Sequence, residues 1–211
     1  SFATGRPAAV ESKARELVLD TLGCVLAAAP RLRALAAQFA SSDPGGVRVP
    51  GFDGSLSTGS ASALFAIAAC WDEACEGLAR AHGRPGVPVI AVCMALAQIR
   101  SATVDEIVCA VVTGYEIGGR LGEALRIAPG MHVDGTWPGF GVAAAAVRLS
   151  GGSARQAMTA VRIAACQMPY TLYLPVRTGA EARNTYLAHS AQLGLLAANA
   201  ALAGFTASDG A

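Results

Sequence analysis

Three histidines are the side chains of this sequence best suited to move protons near neutral pH, because an unperturbed imidazole has a pKa of about 6.5. His82 and His132 lie in polar segments that contain glycine, whereas His189 lies within an apolar stretch. The segment GMHVDGTWPGFG, residues 130–141, places His132 among four glycines between two long apolar stretches. We interpret His132 and His82 as candidate catalytic residues and expect His189 to be a packed core residue.

The loop around His132 also has the composition of an anion-binding site. Glycine lets the backbone approach a ligand closely, and free N–H groups at the start of a helix bind negatively charged groups. We therefore expect Gly135 and Thr136 to present backbone N–H groups to a substrate carboxylate. The alternative is an ordinary connection between two helices, in which an aspartate or a threonine caps the second helix.

A second group of candidates surrounds His82. Asp72 precedes this histidine by ten residues, and a nearby carboxylate can fix the tautomer of an imidazole, so Asp72 is a candidate catalytic residue. The same aspartate would also fit a solvated turn. Arg80 and Arg84 are further candidates for binding a substrate carboxylate, because a guanidinium holds it with two parallel hydrogen bonds. The sequence has no phosphate-binding loop, dinucleotide fingerprint or metal-ligand cluster, so we expect no cofactor and no metal.

Composition limits the class of protein. The chain has 211 residues, of which 53% are hydrophobic and 15% charged, and its formal net charge is +1. Such a chain is long enough to bury a core and too apolar to be disordered. It has no cluster of Lys and Arg, which argues against a nucleic-acid partner. The scarcity of charged residues favours self-association, and we expect a homodimer or a higher oligomer.

The cysteines and the apolar C-terminal stretch bear on location. No CxxC pair is present and no signal peptide is recognised, so we expect six free, mostly buried thiols and a cytoplasmic protein. Residues 184–208 contain no Asp, Glu, Lys or Arg. Polar residues recur through this stretch, which favours a buried helix over a membrane span. The cysteines are at positions 24, 70, 75, 93, 109 and 166.

Helical periodicity dominates the chain, and strand patterns are almost absent. Two capping boxes, Thr103 with Glu106 and Ser153 with Gln156, mark the starts of two helices. We predict a single all-α domain over residues 1–211 with roughly seven or eight helices and an extended piece at most near residues 47–51. The predicted helices are 8–28, one starting at 30, 60–71, 88–99, 103–125, 136–149, 153–166 and 181–202, and glycines 114, 118 and 122 are expected to line one face of the fifth.

The order of these segments resembles the family of 2-methylcitrate dehydratase and cis-aconitate decarboxylase, the MmgE/PrpD family. The resemblance rests on ARELVLDTLGCVLAA, on VPVIAVCMALAQ followed by SATVDEIVCAVVTGYEIGGRLGEAL, on MHVDGTWPGFGVAAAAVRLSG, and on EARNTYLAHSAQLGLLAANAALAGFTA. It implies the large helical domain of that family, pairing of two copies through this domain, and chemistry without a cofactor. Family members also have a smaller α+β lid domain with a further histidine, for which residues 1–211 show no counterpart.

The resemblance assigns roles to particular positions and implies that His82, His132 and Arg183 lie in one pocket. His132 falls at the family's catalytic histidine. Arg183 stands where many members have a lysine, and Tyr186 stands where they have a histidine, so both are expected to bind substrate. Arg183 can hold a carboxylate but hardly ever loses its proton, which makes it a poor replacement for a proton-donating lysine. The acidic segment of the family is WDEACEG here, and Gly83 with Arg84 extends the loop after His82.

The most specific interpretation is a cofactor-independent lyase that removes water or carbon dioxide from a small carboxylate by histidine acid–base catalysis. An isomerase, epimerase or cyclase that uses the same proton-transfer site is a second reading. A third is a non-catalytic helical scaffold that requires a second chain. Loss of water or carbon dioxide distinguishes the first from the second, and exchange of solvent deuterium into a substrate distinguishes both from the third.

Overall fold

The computed structural model describes residues 7–208, and within that range the chain is all-α, as predicted. A short extended piece, β1 (Pro44–Val47), meets only isolated bridge partners at Leu56. The helices are α1 (Ala8–Ala28), α2 (Arg33–Ser42), α3 (Thr58–Cys70), α4 (Gly86–Arg100), α5 (Val104–Ala124), α6 (Pro138–Leu149), α7 (Ala154–Ala165), α8 (Leu174–Thr178) and α9 (Tyr186–Leu202).

Side-chain caps explain where several helices begin. The Thr103 hydroxyl accepts the Glu106 N–H at 3.3 Å, and the Glu106 carboxylate accepts the Thr103 N–H at 2.7 Å. Ser153 and Gln156 form the same reciprocal pair at the start of α7. Both predicted capping boxes are therefore confirmed, and each satisfies N–H groups that a helix leaves free in its first turn.

Apart from shifts of one to three residues at the ends of the helices, the structure differs from the prediction in three places. The extended piece is residues 44–47 rather than 47–51. The five-residue helix α8 was not predicted, because a single turn without a buried residue leaves no periodic apolar pattern. Residues 181–185 form a 3₁₀ segment, so α9 begins at Tyr186 rather than at residue 181.

Helix α6 lies at the centre of the fold. Residues 138–147 are all buried, and α6 contacts α4, α5, α7 and α9. Helices α3 and α4 are also buried around most of their circumference and pack against each other. A helix that is apolar on every side belongs in an interior, and the many alanines of α6 let four neighbours approach it.

Glycines set the distance between α5 and α6. A Cβ atom on Gly114 would lie 2.7 Å from the carbonyl oxygen of Gly141, and one on Gly118 would lie 3.2 Å from the Gly141 Cα. At the end of this contact Trp137 is fully buried, and a Cβ on Gly122 would lie 2.6 Å from its ring. The predicted glycine face of α5 is therefore confirmed as the surface on which α6 and Trp137 pack.

Two expectations about individual side chains need correction. His189 is exposed, because the core-facing stripe of α9 passes through its neighbours Ala188 and Ser190. The six cysteines are free, as expected, but only Cys70 and Cys93 are buried, and Cys166 is exposed.

Among the helices of residues 7–208, none is both long enough and apolar enough to cross a membrane.

The close contact of α5 and α6 predicts opposite effects for two alanine substitutions. In G141A the new methyl group would overlap the Gly114 carbonyl group, and such overpacking should lower the free energy of unfolding by about 1–3 kcal/mol. In G23A, on the exposed side of α1, nothing lies within 4 Å of the new methyl group. Alanine should there raise stability by about 0.5–1 kcal/mol, because glycine is a poor helix former. Thermal unfolding followed by circular dichroism measures both, and a G141A protein as stable as wild type would contradict the packing described.

Candidate functional site

One cavity of about 410 Å³ brings together residues from five parts of the chain. His82, His132 and Arg183 all line it, as the sequence predicted, although they are far apart in the chain. Two guanidinium groups, from Arg84 and Arg183, and two carboxyl groups face the same space. The lining residues are Cys70, Glu73, His82, Arg84, Met131, His132, Val133, Asp134, Tyr173, Val176, Arg183 and Asn184.

The His132 ring is held by a second segment of the chain. The backbone N–H of His132 donates to the Thr171 carbonyl at 2.8 Å, and the Thr171 hydroxyl donates back to the His132 carbonyl at 2.8 Å. Tyr173 stacks on the imidazole with ring centroids 5.7 Å apart, and the tilted ring of Tyr186 lies 5.5 Å away. These contacts leave 16% of the His132 side chain exposed and fix the plane of its ring.

Asp134 lies beside His132 and is itself anchored to the core. The backbone N–H of Asp134 donates to His132 Nδ1 at 3.2 Å, and the Asp134 carboxylate Oδ2 lies 4.0 Å from the same nitrogen. The buried Ser190 hydroxyl of α9 donates to the Asp134 carbonyl at 2.7 Å. Burial lowers the pKa of His132, an effect that the Asp134 carboxylate opposes, while burial raises the pKa of Asp134 against the effect of Arg84.

The charged side chains form a continuous network. Arg84 Nη1 lies 3.2 Å from Asp134 Oδ2 and 3.1 Å from Glu73 Oε1, and Arg84 Nη2 pairs with Glu73 Oε2. Arg183 Nη2 lies 2.8 Å from Glu73 Oε1. Glu73 therefore bridges the two guanidinium groups of the cavity. The Arg84 side chain is 23% exposed and the Asp134 side chain 7%, so water screens this network only partly.

The loop that carries His82 and Arg84 is fixed from both sides. Between these two residues, Gly83 packs on Trp137, and a Cβ on Gly83 would lie 2.5 Å from the indole ring. On the other side, Glu76 accepts the Gly86 N–H at 2.7 Å and the Tyr115 hydroxyl at 3.2 Å. Burial raises the Glu76 pKa to about 7, although these hydrogen bonds oppose the effect.

Two residues of the cavity have an unusual backbone. Glu73 has a φ of 57° and His82 a φ of 54°, and among residues 7–208 only Ser101 is a further non-glycine residue with positive φ. The left-handed conformation costs an L-residue roughly 1–2 kcal/mol. Such strain is found preferentially at functional sites, which agrees with the position of both residues in this cavity.

The structure does not bring every predicted residue to the cavity. Asp72 is exposed and pairs with Arg31, outside the lining, while its neighbour Glu73 faces the cavity. Arg80 is also outside and pairs with Glu123.

The remaining predicted residues lie near the cavity but outside its lining. The Thr136 side chain is fully buried, and its hydroxyl and N–H both donate to the Val133 carbonyl. Gly135 packs on Thr171. Neither residue contributes a cavity surface. The Tyr186 hydroxyl donates to the Leu172 carbonyl at 2.8 Å, so this residue touches His132 only through its ring.

Sequence reasoning missed several residues of the cavity, among them two acidic side chains and one buried amide. Glu73 and Asp134 adjoin predicted residues, and a wider search for acidic side chains around each histidine would have included them. Asn184 gave no such signal. It is 6% exposed, and its Oδ1 is buried with no hydrogen-bond partner among residues 7–208. A buried polar atom without a partner is costly, so this oxygen marks a place where a ligand or water can bind.

Other features of the described residues compete only weakly with this cavity. A larger cavity of about 770 Å³ lies between α1 and α5, but neither histidine nor arginine lines it. Within residues 7–208 no group of three His, Cys, Asp or Glu side chains is arranged to hold a metal ion. The 410 Å³ cavity is the candidate site because proton-transfer groups and cations converge there.

The charges around His132 predict how its pKa responds to substitution. In the wild-type protein the imidazole should titrate below 6.5, because burial disfavours the charged ring. D134N removes a carboxylate that stabilises the imidazolium and should lower this pKa further, whereas R84Q removes a competing cation and should raise it. D72N, outside the cavity, should leave it unchanged. Titration of the ring signals by NMR tests the set, and a higher His132 pKa in D134N would contradict the arrangement.

Comparison with known proteins agrees with these observations. A sequence model described as the MmgE/PrpD N-terminal domain matches residues 3–211. No curated protein matches the chain closely enough for comparison. The match covers nearly all of the chain, including the segments that carry both histidines and Arg183. The chain therefore belongs to the MmgE/PrpD family, of which it represents the N-terminal domain.

Proposed function

We propose that this chain carries the acid–base site of a lyase that removes water or carbon dioxide from a small carboxylate. Members of the MmgE/PrpD family are generally lyases or dehydratases, which supports the reaction type. The observation that carries the proposal is the convergence of His82, His132, Arg84 and Arg183 on one cavity. Elimination requires a cation for the carboxylate and groups that take up and return protons, and this cavity contains both.

Arg84 and Arg183 bind the substrate carboxylate in this proposal. Their guanidinium groups are close enough to share one carboxylate, since both already contact Glu73. A fixed fork of N–H donors orients a carboxylate as well as binding it. Holding the substrate in this way places its reacting carbon beside the histidines, and such positioning is a large part of catalysis.

His132 transfers the proton. Its lowered pKa keeps the ring neutral at pH 7, so that it can accept a proton. Nδ1 has a donor, the Asp134 N–H at 3.2 Å, and a potential acceptor, Asp134 Oδ2 at 4.0 Å. The first supports the tautomer with its proton on Nε2. A shift of about 1 Å toward Oδ2 would support the other tautomer, with a free Nε2 lone pair. A ring supported in both forms can take a proton at Nε2 and return it.

His82 supplies the second proton-transfer group. It is exposed, lies on the separate loop beside Arg84, and lines both this cavity and an adjoining one of about 340 Å³ that His132 also lines. Two histidines on different loops can address different atoms of one substrate, as the removal of a proton and the loss of a hydroxyl group require. Elimination moves protons and electron pairs without net oxidation, so the proposed reaction requires no redox cofactor. Asp72 has no part in it.

Substitution of His132 tests the proposal directly. H132Q retains a hydrogen-bonding side chain but cannot transfer a proton, and kcat should fall by about 10²–10⁴ with little change in Tm. H189Q is the matched control, because His189 is exposed on α9 and outside the cavity. It should retain wild-type activity. Activity in H132Q equal to that of the control would contradict acid–base catalysis by His132.

Product analysis separates the lyase from its alternative. A panel of small carboxylates would be incubated in D₂O, and each reaction followed by NMR and mass spectrometry. Loss of 18 or 44 mass units, for water or carbon dioxide, supports a lyase. Deuterium incorporation without loss of either group indicates an isomerase, epimerase or cyclase. Neither change with any carboxylate would favour the non-catalytic reading.

We further propose that the protein is a homodimer. Large apolar side chains remain exposed on the chain, among them Leu19, Leu26, Met158 and Leu196, and burial of such surface favours association. The 211-residue chain has a mass of 21.3 kDa, and light scattering at micromolar concentration should give twice this mass. A single-chain mass under these conditions would contradict the proposal.

A further inference from the structure

The carboxylate of Glu73 already occupies the position between the two arginines of the cavity. Its Oε1 lies 3.1 Å from Arg84 Nη1 and 2.8 Å from Arg183 Nη2, and its Oε2 pairs with Arg84 Nη2. Both guanidinium groups are thus engaged by one carboxylate from the chain itself. The size and charge of that position suit a carboxylate, because it contains one.

The backbone at Glu73 is held in an unfavourable conformation to make these contacts. Its φ of 57° is in the left-handed region, and the Glu73 N–H donates to the Cys70 carbonyl at 3.2 Å directly after α3. The neighbouring Asp72 pairs with Arg31 outside the cavity. The Glu73 side chain is 36% exposed, so a path to solvent is open without unfolding of the segment.

Asn184 independently indicates that the cavity accepts a ligand. This residue is 6% exposed and lines the cavity next to Arg183, yet its Oδ1 has no hydrogen-bond partner among residues 7–208. Glu73 cannot satisfy it, since a carboxylate oxygen is an acceptor like Oδ1 itself. The cavity thus has a filled position for a carboxylate and, beside it, a residue whose buried amide oxygen lacks a hydrogen-bond donor.

We propose that Glu73 is an internal competitor of the substrate: its carboxylate fills the carboxylate subsite between Arg84 and Arg183, and binding exchanges it for a carboxylate of the ligand. This inference rests on the proposed function, which requires that subsite. The exchange replaces one set of ion pairs by another. Glu73 is the counter-ion of both arginines in the free protein, and the ligand carboxylate takes that role in the complex. Glu73 then turns toward solvent through its exposed side.

The exchange makes Glu73 a residue that sets how strong a ligand's contacts must be before it binds. A tethered group competes at an effective concentration of millimolar or more, so a ligand that offers only one carboxylate gains little over Glu73. A ligand with further groups that reach Asn184 or the histidines gains contacts that Glu73 cannot make. The apparent affinity is the intrinsic affinity multiplied by the fraction of sites that are open, and this factor is the same for every carboxylate.

Calorimetric titration with succinate, a small dicarboxylate, tests this inference. E73Q retains the shape of the side chain and removes its charge, and it should bind succinate at least about 10-fold more tightly than the wild-type protein, as expected if about nine sites in ten are closed. D72N is the matched control, because it removes a charge from the adjoining residue outside the cavity, and its affinity should equal that of the wild type. Succinamide, without charge, should bind to none of them.

The location of the new binding is tested in the same background. Addition of R183Q to E73Q should abolish the gain in affinity if succinate takes the place of Glu73. Thermal unfolding of each variant shows whether it is folded. Equal or weaker binding by folded E73Q would overturn the competitor role, while leaving the carboxylate site intact if the wild type binds. Failure of every folded variant to bind succinate or another small carboxylate would instead overturn the proposed function.

Discussion

The position of the Trp137 ring is the constraint on which the candidate site depends. The ring has no exposed surface and fits against Gly122 of α5 and against Gly83 of the loop before α4. A side chain at either position would collide with the ring. His82 and Arg84 flank Gly83, and His132 and Asp134 lie just before Trp137. One buried indole therefore sets the distance between the two loops that supply both histidines. Burial of so large a side chain favours the arrangement in which the two loops meet.

Electrostatics then determines what this arrangement can do. Glu73, Arg84, Asp134 and Arg183 alternate in sign along a partly buried chain of contacts. Ion pairs in an interior lose hydration and contribute little net stability, so apolar residues of the same volume would often serve the fold equally well. In the proposed function, the network presents cations and a tuned imidazole to an anionic ligand. His132 can be neutral although it lies next to a carboxylate, because burial lowers the pKa of the ring more than Asp134 raises it. Arg84 and Arg183 lower this pKa further.

Sequence patterns predicted those features that local chemistry determines. Both capping boxes, the glycine face of α5 and the approximate bounds of most helices follow from residues close together in the chain. The meeting of His82, His132 and Arg183 was inferred only through resemblance to a family, because nothing local relates them. Asp72 and Glu73 show the limit clearly. They are adjacent acids, and the left-handed backbone at Glu73, with the partners Arg31 and Arg183, decides which one faces the cavity. His189 was misplaced for a similar reason, since the exposed side of α9 depends on how that helix packs.

Helix α6 has a consequence for how this chain tolerates change. Its residues from Pro138 to Val147 are buried on every side, and four helices share its surface. Most proteins absorb sequence variation on the outer face of each helix, but α6 has no such face. Enlarging any of its alanines would press on one neighbour or another, and the first turn of the helix continues directly into Trp137 and the histidine loop. Directed evolution for a new substrate would therefore find its freedom in the loops around the cavity, while α6 would accept almost no variation.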